Sequence, residues 1–162
     1  MVLFIKKIVL TTFIAILISV LMMGCQNIAG GGTYVDLGLP SGTLWKSVNE
    51  KGYYEYNEAY SKYGGSMPSK EQWQELKKYC KWEWDTDGYN VIGPNENSIF
   101  LPAMGSYLQG EPLFRKGTYG YYWSSTPHDE QCLAAYYMHF SGPIIGININ
   151  DCKYYQSVRL VK

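Results

Sequence analysis

Gly120-Tyr121-Tyr122-Trp123-Ser124-Ser125-Thr126 is a run of aromatic and β-favouring residues, closed by glycine on one side and by Pro127 on the other. It reads as a central, largely buried strand whose hydroxyl-bearing tail turns toward solvent-facing loops. Downstream, Ala134 to Phe140 and Ile144 to Ile149 read as two further strands hinged at Ser141-Gly142-Pro143, and Ser157-Val158-Arg159-Leu160-Val161 as a closing strand. The chain is organised around this strand and its partners.

Upstream, Tyr34-Val35-Asp36-Leu37 and Thr43 to Val48 form an opening hairpin around Gly38-Leu39-Pro40-Ser41-Gly42. Tyr56, Ala59, Tyr60 and Tyr63 recur at helical spacing, which predicts a short helix over 53–63 ended by Gly64-Gly65. Ser69 followed three residues on by Gln72 is a capping box, so a second helix runs from Ser69 to Tyr79 with Trp73 and Leu76 on its inner face. Lys81 to Trp84 and Tyr89 to Ile92 flank a turn and predict a small exposed hairpin. Ser98 to Pro102 reads as a short buried strand, and 103–118 as a long loop.

The first residues differ from the rest. Lys6 and Lys7 precede an uncharged run from Ile8 to Met23, the layout of a signal peptide over 1–24, too short for a confident membrane span. Leu21-Met22-Met23-Gly24-Cys25 resembles a bacterial lipobox, which makes Cys25 the lipidation site. Simple secretion and an uncleaved anchor are the alternatives. Residues 25–33, with Gly30-Gly31-Gly32, form a flexible tether, and 34–162 is one domain's worth of chain. The expected place is the cell envelope, with the lipid anchor in the outer membrane and neither membrane face singled out.

Of 14 basic side chains Lys6 and Lys7 belong to the leader, which leaves 12 against 14 acidic ones and a net charge near −2. No basic block or stripe is present, and nucleic acid is an unsuitable partner. Tyrosine is abundant, at 16 residues; it gives stiff, amphipathic contact area at low entropic cost, although sheet cores use it too. Cys132 and Cys152 are a candidate disulfide in an oxidising compartment, and Cys80 reads as a small buried hydrophobe. His128, Cys132 and His139 lack the paired spacing of a metal site, so no metal and no cofactor is expected.

Ser124 and Ser125 with His128, His139, Asp129 or Asp151 do not make a hydrolase pattern, because the Gly-x-Ser-x-Gly elbow is absent and no spacing singles out a base. The late loops and strands carry a different signal. His128, Asp129, Glu130, Gln131, Tyr137, His139, Asn148, Asn150, Asp151, Tyr154 and Tyr155 mix stiff aromatics with adaptable hydrogen-bonding groups, as binding surfaces do. The competing reading is ordinary polar loops.

Tyr34 to Trp45, Met67-Pro68-Ser69-Lys70-Glu71-Gln72-Trp73, Gly93-Pro94-Asn95, Ser98 to Pro102, the Gly120 to Thr126 stretch and Ser157-Val158-Arg159 together resemble the Fibrobacter succinogenes major paralogous domain family of exported Bacteroidota lipoproteins. The resemblance implies an α+β, C-type-lectin-like fold: small twisted antiparallel sheets with two helices, and chain ends that meet in one sheet. It also implies display and recognition rather than chemistry, and a ligand face in the late part of the chain. The sequence departs from the family where Gln156 replaces the usual glycine before Ser-Val-Arg, and Met104 lies in a segment that often reads Ala-Ala-Gly. Glu111-Pro112-Leu113 and Trp123-Ser124-Ser125 lack the oxygen ligands that calcium-dependent lectins gather. The expected function is therefore a non-catalytic, envelope-anchored domain that binds a protein or glycan. A structural envelope or fimbria-associated component and a retroelement-diversified binder are the alternatives.

Overall fold

The computed structural model describes residues 32–131 and 133–162. The signal peptide over 1–24, the lipidation site Cys25, nearly all of the tether and Cys132 lie outside the described residues. Among those described, no helix is long and apolar enough to cross a membrane.

The fold is α+β, with two helices among small antiparallel sheets. β1 (Tyr34–Asp36) and β2 (Leu44–Lys46) form the opening hairpin. α1 spans Tyr56–Tyr63 and α2 spans Lys70–Tyr79. A three-stranded sheet holds β3 (Lys81–Asp85), β4 (Gly88–Ile92) and β5 (Ser98–Pro102); a second holds β7 (Tyr119–Pro127), β8 (Ala134–Ser141) and β9 (Ile144–Asp151). β6 (Tyr107–Leu108) pairs with β10 (Tyr154–Tyr155).

Side chains alternate across β7, and the two faces carry different cores. Tyr122 sits opposite Met138 and Gly120 opposite Phe140; this face joins Trp45, Trp73, Leu76, Val91 and Leu101 in one cluster. Trp123 sits opposite Tyr137 on the other face, where both join Tyr56, Ala59, Met67 and Val158 in a second cluster. A methyl-sized Cβ at position 120 would lie 2.1 Å from the Phe140 ring, so only glycine lets the two strands and that ring coexist.

α2 begins as its sequence dictates. The Ser69 side chain accepts from the Gln72 amide and the Gln72 side chain accepts from the Ser69 amide, and buried Trp73 and Leu76 face the sheet. The Trp73 indole donates to the Trp123 carbonyl at 3.3 Å, which fixes the helix to the central strand.

Four sequence expectations need correction. α1 starts at Tyr56 rather than Tyr53, because Tyr54 is drawn into a backbone pair with Gln156. The hairpin over 81–92 is exposed only on β3: β5 adds a third strand, and Tyr89 and Val91 are buried. The Ser124 to Thr126 tail does not emerge into a loop. It forms a bulge between Trp123 and Pro127, where Ser124 is fully buried and the Thr126 hydroxyl and the Trp123 carbonyl receive α2 donors. The C-terminal segment is not a regular strand, yet it pairs on both sides: Ser157 runs parallel to Tyr122 and Val161 antiparallel to Trp45. Leu44 and Lys162 exchange backbone hydrogen bonds of 2.9 and 3.0 Å, so the tail lies beside the opening hairpin.

Candidate functional site

Tyr119, Tyr121 and Trp123 share one face of β7; Ala135, Tyr137 and His139 share it on β8; and Asn148 and Asn150 stand opposite Tyr137 and Ala135 on β9. The alternate residues of β9, Ile145 and Ile147, pack toward the core. Trp123 packs in the cluster that α1 joins, while Tyr121, Tyr137 and Asn150 border a groove. Its facing wall is the segment expected to be a plain loop.

That segment is shaped by its own pairing. Ser106 and Phe114 form an antiparallel bridge, and Tyr107-Leu108 pair with Tyr155-Tyr154. Gly105, with φ +72°, donates to the Tyr119 carbonyl at 2.8 Å; a Cβ there would lie 2.3 Å from the Phe114 carbonyl oxygen. The wall is thus held against β7 by backbone contacts that no bulkier residue permits. The Tyr107 and Tyr155 rings stack at 4.6 Å with planes 7° apart, which stiffens the joint with β10.

The result is an open groove of about 460 Å³ lined by Tyr107, Phe114, Tyr121, Tyr137, Asn150 and Tyr154, with Ser106 and Glu111 at its polar points. A second basin of about 520 Å³, bordered by Glu55, Gln109 and Lys153, shares Leu108 and Glu111 with it. Burial raises the Tyr121 phenol pKa, helped by Tyr137, and burial raises that of Tyr137, helped by Tyr154. Both are neutral hydroxyls, able to donate and accept, at physiological pH.

The sequence candidates divide into groups. Tyr137, Asn150 and Tyr154 line the groove, His139 and Asn148 share its sheet face, and Tyr155 buttresses Tyr107. His128 rests edge-on against Tyr136, the ring beneath the Lys70 ammonium of α2, on the opposite side of the sheet. Asp129 spends its carboxylate on the amides of Gln131, Leu133 and Ala134 at 3.0–3.1 Å, bonds that hold its pKa below the usual carboxylate range. It shapes its turn; exposed Gln131 sits in the same turn. Cys132 lies outside the described residues, and Cys152 is buried in the second core cluster.

Tyr107, Phe114 and Tyr121 were not among the sequence candidates. The period-two run Tyr119-x-Tyr121-x-Trp123 paired with Tyr137-x-His139 carries the signal for Tyr121, whereas nothing local announces that 106–114 folds back as a wall. Of the two serines of the central stretch, Ser124 is fully buried and its hydroxyl accepts from the Thr126 amide at 3.0 Å. Among the described residues no three His, Cys, Asp or Glu side chains gather as a metal-holding group.

The model of a family described as a domain of unknown function, DUF8237, matches residues 80–161, half of the 162-residue chain. The chain belongs to this family. No curated protein and no solved structure matches it. The DUF8237 segment begins at the C-cap of α2 and contains every residue that lines the groove. Within it also lies Arg159, buried, which donates to the Lys46 carbonyl at 2.7 Å and to the Phe100 carbonyl at 2.6 Å. Arg159 therefore ties the family segment to the opening hairpin that precedes it.

Proposed function

We propose that this chain is an exported lipoprotein, anchored through Cys25 to the cell envelope at the outer membrane, whose domain binds a protein or glycan without transforming it. The observation that carries the reading is the groove, in which ring faces and neutral hydroxyls converge. The Fibrobacter succinogenes major paralogous family and a C-type-lectin-like topology are part of the same proposal. They are supported by two helices beside small antiparallel sheets and by the return of residues 160–162 to the opening hairpin.

Lipidation is tested by metabolic labelling with a clickable palmitate analogue. The full chain takes up label and Cys25→Ala does not; equal labelling of both removes the anchor from the account. Recognition is tested by probing glycan and peptide arrays with the full chain in detergent beside Tyr121→Ala. A signal that the variant loses supports the groove, and array signals identical in both proteins sink it.

A further inference from the structure

We infer that the groove takes a neutral oligosaccharide of at least two sugar rings, held by phenol hydroxyls and ring faces without a metal ion; this rests on the groove being the recognition site. The chain supplies its own internal contrast. Tyr53, Tyr54, Tyr56, Tyr89 and Tyr122 each donate their hydroxyl to a backbone carbonyl, of Met104, Lys51, Ser125, Gly142 and Pro102. That is what packed tyrosines do, because a buried hydroxyl without a partner is costly.

Tyr121, Tyr137 and Tyr154 do otherwise. Their hydroxyls make no hydrogen bond to a described residue, although Tyr137 is only 9% exposed, and all three rings border the groove. Three hydroxyls kept near one another and unspent form a donor–acceptor set that a ligand completes. Asn150 adds a donor: its Oδ1 accepts from the Asp151 amide, which leaves the side-chain NH2 for the groove.

The chemistry of the ligand follows from the lining. Hydroxyls and an amide at the edges, with flat rings between them, suit a molecule with hydroxyls on its rim and C–H bonds on its faces, which describes a pyranose. Rings from both walls contribute: Tyr121 and Tyr137 stack at 5.9 Å, and Tyr107 is braced by Tyr155. An anionic ligand is disfavoured, because Glu111 lines the groove and no Lys or Arg does: Arg115 lies over the Phe114 and Tyr119 rings and donates to the Tyr119 hydroxyl, and Lys153 borders the second basin together with Glu55 and Glu111. The second basin continues past Leu108 and Glu111, so the track is longer than one sugar ring needs. Each basin falls within the roughly 300–1,000 Å³ of small-ligand clefts.

The test is titration calorimetry of the full chain in detergent, with excess EDTA, against neutral tetrasaccharides of glucose, N-acetylglucosamine, mannose and xylose, their monosaccharides, and tetragalacturonate. At least one neutral tetrasaccharide binds, and its monosaccharide binds about ten-fold more weakly or worse. Tyr121→Ala or Tyr154→Ala weakens binding by roughly ten-fold or more, as central aromatic contacts do. Tyr137→Phe, which keeps the ring and the fold, weakens it by about three- to ten-fold through one lost hydrogen bond.

Binding that EDTA abolishes, preference for tetragalacturonate, indifference to Tyr137→Phe, or no response from any neutral tetrasaccharide overturns the ligand class. A displayed-peptide library separates that failure from a deeper one. Peptides selected by the full chain and lost by Tyr121→Ala leave the groove as the recognition site with a protein ligand, whereas no groove-dependent binding of sugar or peptide removes both readings.

Discussion

The rings of Tyr121 on β7 and Tyr137 on β8 lie 5.9 Å apart with their planes 29° from parallel, on the same face of the sheet but in different surroundings. Tyr137 is packed into the second core cluster with Trp123 and Ala135, whereas Tyr121 lies at its margin, partly buried against it. The boundary between core and groove runs between them. Stability and recognition therefore meet in one ring pair, and substitutions on either side of it separate the two.

Gly120→Ala tests the sheet behind that boundary. Its Cβ would meet the Phe140 ring at 2.1 Å, and Phe140 is fixed by Tyr89, Trp82 and Trp84. Overpacking of this kind costs about 1–3 kcal/mol. Urea unfolding of the full chain shows a lowered midpoint; an unchanged midpoint means that the ring moves freely and the packing described here is loose.

Arg159 links the tail to both β2 and β5. Arg159→Ala leaves the Lys46 and Phe100 carbonyls without their donor, a loss of about 3 kcal/mol. Arg159→Lys recovers only part of it, because an ammonium cannot reproduce the planar fork. Burial lowers the Arg159 pKa to about 10, with Tyr122 opposing the shift, so the guanidinium remains charged under all ordinary conditions. Full recovery of the unfolding midpoint by lysine would contradict the geometry.

Ser69→Ala removes the acceptor of the Gln72 amide at the start of α2 and costs about 1 kcal/mol. Ser69→Asp restores most of it, since a carboxylate also caps and favours the helix N-terminus. Thermal midpoints read by circular dichroism rank wild type and aspartate above alanine.

His139 makes stability depend on pH. Burial, and secondarily the charge of Lys77, holds its pKa below the ordinary 6.5. The unfolded chain therefore takes up a proton first as pH falls. The His139 contribution is complete above about 6.5, is lost as pH drops from there toward the lower folded value, and is constant below it. The carboxylates of Glu71 and Asp129, whose backbone hydrogen bonds lower their pKa, add an acid loss common to every variant. Thermal midpoints of wild type and His139→Gln, measured from neutral pH to about pH 5, differ in slope, with the wild type steeper; parallel slopes would show that His139 is not desolvated.

Much of the fold was legible because local signals agreed with tertiary ones. The Ser69–Gln72 box, the helical spacing of Trp73 and Leu76, and the aromatic run through Trp123 each describe one element, and each element is present. The segment 103–118 was opaque, since its structure depends on partners almost fifty residues away: Tyr107 pairs with Tyr155, and Leu108 with Tyr154. The Ser124 to Thr126 bulge was hidden for a similar reason, because its hydroxyl and backbone groups are taken up by Pro68, Lys70 and Tyr56. Of the candidate site, Tyr137, Asn150 and Tyr154 thus showed in sequence, whereas Tyr121 and the facing wall did not. The Asp129 turn shows the opposite error, in that a polar loop suggests a ligand face while its carboxylate is occupied by its own backbone.

The most direct measurement is a tyrosine-ring NMR titration of the full chain, selectively labelled at tyrosine and assigned by substitution, against the neutral tetrasaccharides. The account predicts shifts confined to Tyr107, Tyr121, Tyr137 and Tyr154, with Tyr56 and Tyr122 in the core unmoved. Shifts at Tyr136 beside His128 with the groove tyrosines silent, or no tyrosine shift with any tetrasaccharide, would contradict it.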